Sequence, residues 1–239
     1  MTESLQMIRA EINVRDFQRW MGMRRLQDPD HAMHCLLVES FSRELAPKPF
    51  RVMTPRGVRN GCLYGYSYAG ADALRDAAAM FACPLQSGII PAGRIESKAM
   101  PTEWPTGKRL GFEVRVRPIV RPTKNADSRP RRERDAFQLE AERYDKGEMP
   151  RSREQVYSEW LVKQLDTRGG ARLESAMLQS FQRTRVIRKR HSRYSEGPDA
   201  LMRGNLVITN GDAFAKLLAQ GVGRHRAYGY GMLLLRPAH

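Results

Sequence analysis

The chain has 239 residues, 28% of them charged, and a formal net charge of +15 carried by 33 arginines against eight lysines. It holds no signal peptide, no long apolar run and no amphipathic helix with a wholly basic face, so a membrane is not an expected partner. Cys35, Cys62 and Cys83 are odd in number and form no CxxC pair, which argues against a disulfide framework or a zinc site and fits a reducing cytoplasm. Arginine suits planar, bidentate recognition of phosphate and stacking on bases, so the composition points to a nucleic acid.

In chain order, LQMIRAEIN alternates like a strand, and residues 14–26 carry Phe17, Trp20, Met21 and Arg24 at helical spacing. Asp28-Pro29-Asp30 predicts a helix start, with Met33, Leu36, Leu37 and Phe41 as its apolar stripe. PFRVM and CLYGYSY predict strands around a turn at 55–61, an alanine-rich helix follows Gly70, and GRIESKAM predicts another strand. PTEWPTGK concentrates turn formers and predicts a boundary, dividing the chain into domains 1–103 and 104–239.

In the second domain Leu110, Phe112, Val114 and Val116 alternate with Glu113, Arg115 and Arg117, which predicts a half-buried strand with a basic outer face. Residues 125–134 read as a charged loop, and about 134–170 as an inserted helical pair. Its second helix has a capping box from Ser152 to Gln155 and a stripe through Val156, Tyr157, Trp160, Leu161, Gln164 and Leu165. LESAMLQSFQ fits helix or strand, and the basic run QRTRVIRKRHSR follows it. Residues 205–209 predict a strand, Asp212 a cap for a helix burying Ala213, Phe214, Leu217 and Leu218, Gly221 its end, and 232–236 the last strand. Together the elements give an α+β class.

Between the last helix and strand lies GVGRHRAYGYG, residues 221–231. It breaks the G-x-G-x-x-G fingerprint at Arg226, follows a helix rather than a strand, and lacks GK[ST]. Its glycines let backbone amides approach a sugar-phosphate chain, with charge from Arg224 and Arg226 and stacking faces from Tyr228 and Tyr230. The alternative is that the glycines only allow a turn to pack tightly.

The run ITNGDAFAKLLAQGVGRHRAYGYGMLLLRP resembles the C-terminal signature of the CRISPR repeat-RNA processing endoribonucleases of the RAMP superfamily, particularly the type I-E branch. PTGKRLGFEVRVRPIVR, REQVYSEWLVKQLDTRGG and DPDHAMHCLLVESF resemble that family's strand, mid-chain helix and N-terminal helix, in order. Two departures point to a divergent branch, such as a type IV member: Pro118 follows Arg117 where the family has asparagine, and His31 stands where it has tyrosine. The resemblance implies two tandem ferredoxin-like (RRM-like) domains, the second with a helical insertion. It also implies a metal-independent endoribonuclease with no cofactor, which binds the hairpin of CRISPR precursor RNA and cuts it once per repeat by 2′-hydroxyl attack. Such an enzyme retains its crRNA in an effector complex with other CRISPR subunits. A non-catalytic crRNA-binding subunit is the alternative.

Metal-free RNA cleavage needs a base for the 2′-hydroxyl, an acid for the 5′-oxygen and a cation on the phosphate. His31 and His34 are spaced i, i+3 in the first turn of the second predicted helix, whose N-terminus disfavours imidazolium. The resemblance implies that His34 is the catalytic histidine; His31 is the second candidate and Arg24 a source of charge. Other readings are a capping His31 with a packed His34, or zinc held by Asp30, His31, His34 and Cys35. Expected RNA contacts are Arg25, Arg115, Arg117, Arg183, Arg185, Arg188, Lys189, Arg190 and Arg193, with Arg224, His225, Arg226 and Tyr228 in the loop. The loop is expected to cradle the backbone apart from the proton-transfer site, with His225 a reserve catalytic residue.

Overall fold

The computed structural model describes residues 4–55, 57–121, 133–145, 147–186 and 195–238. Strand β1 (Gln6–Asn13) buries Ile8, Ala10 and Ile12 on one face, as its period-two pattern dictates. Two helices follow, α1 (Val14–Arg24) and α2 (Pro29–Leu45), then β2 (Phe50–Met53), β3 (Asn60–Ser67), α3 (Ala71–Phe81), α4 (Pro84–Ile89) and β4 (Ile95–Ala99). The strands form an antiparallel sheet in the order β2-β3-β1-β4.

The same plan recurs after Trp104. Here β5 (Arg109–Val116) is followed by a two-stranded ribbon of β6 (Ile119–Val120) and β7 (Arg134–Asp135), then by α5 (Ala136–Ala141) and α6 (Arg153–Arg168). Next come β8 (Ala171–Val186), β9 (Ser195–Ile208), α7 (Gly211–Gln220) and β10 (Leu233–Arg236), giving the sheet β10-β5-β9-β8. Numbered within each unit, both sheets read 4-1-3-2, the ferredoxin-like order. Of the expected helical pair, α6 takes the first-helix position of the second unit, and the ribbon with α5 is the added part. One apolar core lies beneath each sheet, and Tyr66 of β3 joins the second core, its hydroxyl donating to Leu233 O at 2.9 Å.

Several local readings hold in detail. Asp28 caps α2 by accepting from Asp30 N at 3.0 Å and His31 N at 3.2 Å, and Ser152 and Gln155 form the capping box of α6. Others change. Residues 171–186 are strand, paired along their length with β9, which starts at Ser195 rather than Asn205. Two bulges, after Leu173 and after Leu178, interrupt the alternation that would have marked β8 as a strand. Asn210, not Asp212, caps α7, its side chain accepting from Ala213 N at 2.9 Å; Asp212 lies one residue inside the first turn.

The outer face of β5 is not exposed. Glu113 is 2% and Arg117 4% exposed, because alternation separates two environments without saying which is water: Glu113 is met by Arg51 of the first sheet, and Arg117 by Thr184 and Tyr230 of its own unit. Glu113 accepts ion pairs from Arg51 of β2 at 2.6 Å, Arg203 at 2.5 Å and Arg236 at 2.6 Å. Arg115 bridges Asp30 of α2 at 2.9 Å and Asp199 of β9 at 2.7 Å.

Candidate active site

The cap at Asp28, with Pro29 in the first turn, fixes the start of α2 and sets His31 and His34 on its early turns. The glycine-rich loop reaches the same place from the other end of the chain. It is closed at its neck by Val222 N donating to Gly231 O at 2.8 Å, and pinned to β5 by Gly231 N donating to Arg115 O at 2.7 Å. Its short 3₁₀ turn, Arg226–Tyr228, lies against α2. The Tyr228 ring meets His34 edge-on at 5.1 Å and His31 at 6.0 Å between centroids, with His225 at 6.4 Å. The loop and the histidine helix therefore form one site, where the sequence alone had kept them apart.

The loop's glycines serve its packing. A Cβ on Gly229 would lie 3.4 Å from Asp30 Oδ1 and 3.5 Å from an Arg115 amine, so the chain rests directly on that ion pair. At Gly231, with φ +79°, a Cβ would lie 2.2 Å from Val222 O. Gly231→Ala is accordingly expected to destabilise the protein by about 1–3 kcal/mol, measured as a lower denaturant midpoint.

His34 is half-buried and lines a cleft of about 870 Å³ with Val38, Arg43, Lys48, Tyr68 and Ala227. Burial lowers its pKa below the ordinary histidine value, and the charges of His31, Lys48 and Arg43 lower it further. A neutral imidazole near pH 7 can accept a proton, and Lys48 and Arg43 put positive charge beside it.

Beneath the loop, Arg115 donates to both oxygens of Asp30 at 2.9 and 3.1 Å, to Asp199 at 2.9 and 2.7 Å, and to the Tyr230 hydroxyl at 3.1 Å. Its guanidinium also lies 4.3 Å from the Tyr230 ring centroid. Burial opposes the charge on Arg115, but Asp199, Asp30 and Tyr230 more than offset it and raise its pKa. Burial likewise opposes ionisation of Asp199, yet hydrogen bonds from Arg115 and Gln182 hold its carboxyl below the ordinary value. Arg117 donates to Thr184 and lies 4.9 Å from the Tyr230 ring centroid. The solvent-facing position expected of these two arginines is thus corrected: Arg117 is buried and the guanidinium of Arg115 is enclosed by its two carboxylates.

Arg24 ion-pairs with Glu39 at 2.7 Å and covers the Trp20 ring at 5.3 Å, so its charge is balanced within α1, α2 and their surroundings. Arg25 is exposed and ends α1 in the left-handed conformation. Arg183 lies 3.7 Å from Asp135 and 3.8 Å from Glu196, and Arg185 3.3 Å from Glu196, at the far end of the β8–β9 pair. Arg188, Lys189, Arg190, His191 and Arg193 lie outside the described residues, as do residues 125–132 of the expected charged loop. In the glycine-rich loop, Arg224 is exposed and Arg226 half-buried, its Nη1 donating to Gln220 O at 2.7 Å. His225 has a left-handed backbone and its Nε2 lies 2.7 Å from Glu133 Oε2.

Lys48 and Arg43 escaped the sequence reading because neither belongs to a motif; only the fold carries them to His34. The zinc alternative loses Asp30 to Arg115, and among the described residues no cluster of three or more His, Cys, Asp or Glu side chains is arranged to hold a metal. Among the same residues, no helix is long and apolar enough to cross a membrane.

Comparison with known proteins places these features in a family. No curated protein matches the chain in sequence. Thermus thermophilus Cse3, bound to an RNA representing a pre-cleavage complex, is 19% identical with a TM-score of 0.66, over 98% of this chain and 100% of that one. Cas6e from Escherichia coli str. K-12 is 19% identical with a TM-score of 0.54, over 97% and 99%. A chain of a CRISPR RNA-guided surveillance complex is 16% identical with a TM-score of 0.54, over 97% and 99%. At these identities the structures share the fold. A family model described as CRISPR associated protein matches residues 5–237, and with that match across nearly its whole length the chain belongs to this family.

Proposed function

We propose that this protein is an endoribonuclease that binds the repeat hairpin of CRISPR precursor RNA and cleaves it once per repeat without a metal ion. The observation that carries the reading is His34: a half-buried imidazole with a lowered pKa, in a cleft with Lys48 and Arg43, on a fold shared with a Cse3 bound to RNA. His34 takes the proton of the 2′-hydroxyl, and the oxygen attacks the adjacent phosphorus. Lys48 and Arg43 offset the negative charge that gathers on the phosphate oxygens. The bond to the 5′-oxygen breaks as that oxygen gains a proton, and His31, on the same helix and the same Tyr228 ring, is the group placed to give it. The products are a 2′,3′-cyclic phosphate and a 5′-hydroxyl.

Hairpin binding falls to the arginine-rich stretch 183–193, through phosphates rather than base edges, because the major groove of an RNA duplex is too narrow for side chains to read. The mature crRNA stays with the protein, which joins other CRISPR subunits in the cytoplasm.

The test is to incubate the protein with its repeat RNA in excess chelator. One cut per repeat with a cyclic-phosphate end is expected; a gel shift without any cut would identify a non-catalytic crRNA-binding subunit instead. If the hairpin is held through six or more phosphates, raising salt from about 50 to 200 mM weakens binding by about 10³-fold or more. A change under tenfold in filter binding would overturn the phosphate-dominated contact.

A further inference from the structure

A second recess of about 580 Å³ lies between the end of α6 and the loop, with Lys48, Arg168, Arg226, His225 and Tyr228 in its lining. Its cations fall into two groups. On one wall Glu133 meets His225 at 2.7 Å, Arg121 at 3.2 Å and Arg224 at 3.9 Å, so a carboxylate is already present among those charges. On the other, Arg168 and Arg226 converge on a single neutral residue: Arg168 donates to the Gln220 side chain and Arg226 to the Gln220 main-chain oxygen. Neither has a carboxylate partner among the described residues.

Two guanidinium groups gathered on one glutamine repel each other, and burial adds to the cost; both effects lower the pKa of Arg226, burial first and the charge of Arg168 second. Each guanidinium has five N–H donors, so both keep donors for an anion that would turn the repulsion into a bridge. Lys48 and Ala227 line this recess and also the His34 cleft, so a chain lying past His34 continues into it. A recess of this size admits one strand rather than an A-form duplex, and Tyr228 gives that strand a stacking face.

We infer that this recess is a subsite for the backbone of single-stranded RNA flanking the hairpin, its phosphates held by Arg168, Arg226 and Lys48. The inference rests on the proposed function, which it extends from the hairpin to the strand running away from the cut. Phosphate contact here sets the path of the flank and adds affinity without reading sequence.

The experiment compares wild type with the Arg168→Gln/Arg226→Gln double variant on three probes: a short oligouridylate that forms no hairpin, a hairpin without flanks, and the same hairpin with single-stranded flanks. Wild type is expected to bind the oligouridylate and to prefer the flanked hairpin. The double variant is expected to lose about tenfold on both, with a salt slope smaller by about 0.7 for each phosphate released, and to lose less on the bare hairpin than on the flanked one. Equal binding of oligouridylate by both proteins would overturn the subsite, and so would an equal loss on the bare hairpin, which would mark a general effect of charge. If neither protein binds either hairpin, the functional reading fails while the oligouridylate comparison still decides the subsite. Arg168→Gln alone, which gives up only a hydrogen bond to Gln220, repeats the comparison with a smaller effect should the double variant unfold.

Discussion

Replacing Arg115 with alanine is expected to lower the free energy of unfolding by about 3–5 kcal/mol, read as a fall in denaturant midpoint. The magnitude follows from what the substitution leaves behind. Asp199 is 5% exposed and takes two hydrogen bonds from Arg115; Asp30 takes two more from the same guanidinium. Without Arg115, Asp30 loses its ion-pair partner and Asp199 keeps only the Gln182 hydrogen bond and the nearby charge of Arg117, and a poorly solvated charge stripped of its partner costs more than the pair had contributed. Arg115→Lys keeps the charge but not the planar fork that serves two carboxylates, so it recovers only part of the loss.

The pH dependence separates this account from simple loss of packing. In the wild type the Asp199 carboxyl is held below its ordinary value, so its contribution is present above the unfolded-state pKa of about 3.9 and is lost as pH falls through the folded value. In Arg115→Ala the largest lowering cause is gone, leaving only the Gln182 hydrogen bond and the charge of Arg117 against burial, so the carboxyl pKa rises relative to wild type. The variant is then expected to recover stability relative to wild type as pH drops from neutral towards about 5. A constant gap between the two proteins over that range would contradict a charge-based origin. Because Gly231 donates to Arg115 O and Gly229 rests on the Asp30–Arg115 pair, the same substitution is also expected to loosen the loop and slow cleavage.

The second large effect is on rate. His34→Ala is expected to reduce single-turnover cleavage of pre-bound RNA by about 10²–10⁴-fold, the usual contribution of a positioned general base. That is about 3–5.5 kcal/mol of transition-state stabilisation. Binding should stay within about twofold, since an imidazole kept neutral by burial and by His31, Lys48 and Arg43 adds little to the attraction for phosphate. A loss of binding equal to the loss of rate would make His34 a contact rather than a base.

How far the sequence could lead depended on whether a feature was local. The Asp28 cap, the Ser152–Gln155 box, the alternation of β1 and the Gly221 helix end each involve neighbours in the chain, and each was legible. The β8–β9 pair was only half legible, because bulges break its period and Gly197 and Pro198 look like a turn inside what is strand. Arg115 and Arg117 were read as solvent-facing because a polar stripe on a strand looks the same whether it meets water or the polar side of another sheet. The acidic partners of Arg115 lie 85 and 84 residues away from it, beyond any motif. In the candidate site the two histidines could be picked out from the sequence. Lys48, Arg43 and the arrival of Tyr228 on the histidine rings could not, because only the docking of the two sheets brings them together.

The central claim, that His34 acts as a base in the cleft shared by α2 and the glycine-rich loop, is tested most directly by the single-turnover cleavage rate in chelator across roughly pH 4.5 to 8. A base is active when deprotonated, so the rate should rise with pH along an acid limb; because His31 must be protonated to donate, any fall at higher pH forms a separate, descending limb. Because burial and nearby positive charge lower the pKa of His34, the inflection should fall below the ordinary histidine value of about 6.5. The limb should disappear from the residual activity of His34→Ala. An inflection at or above that value, or the same limb surviving in His34→Ala, would contradict the claim.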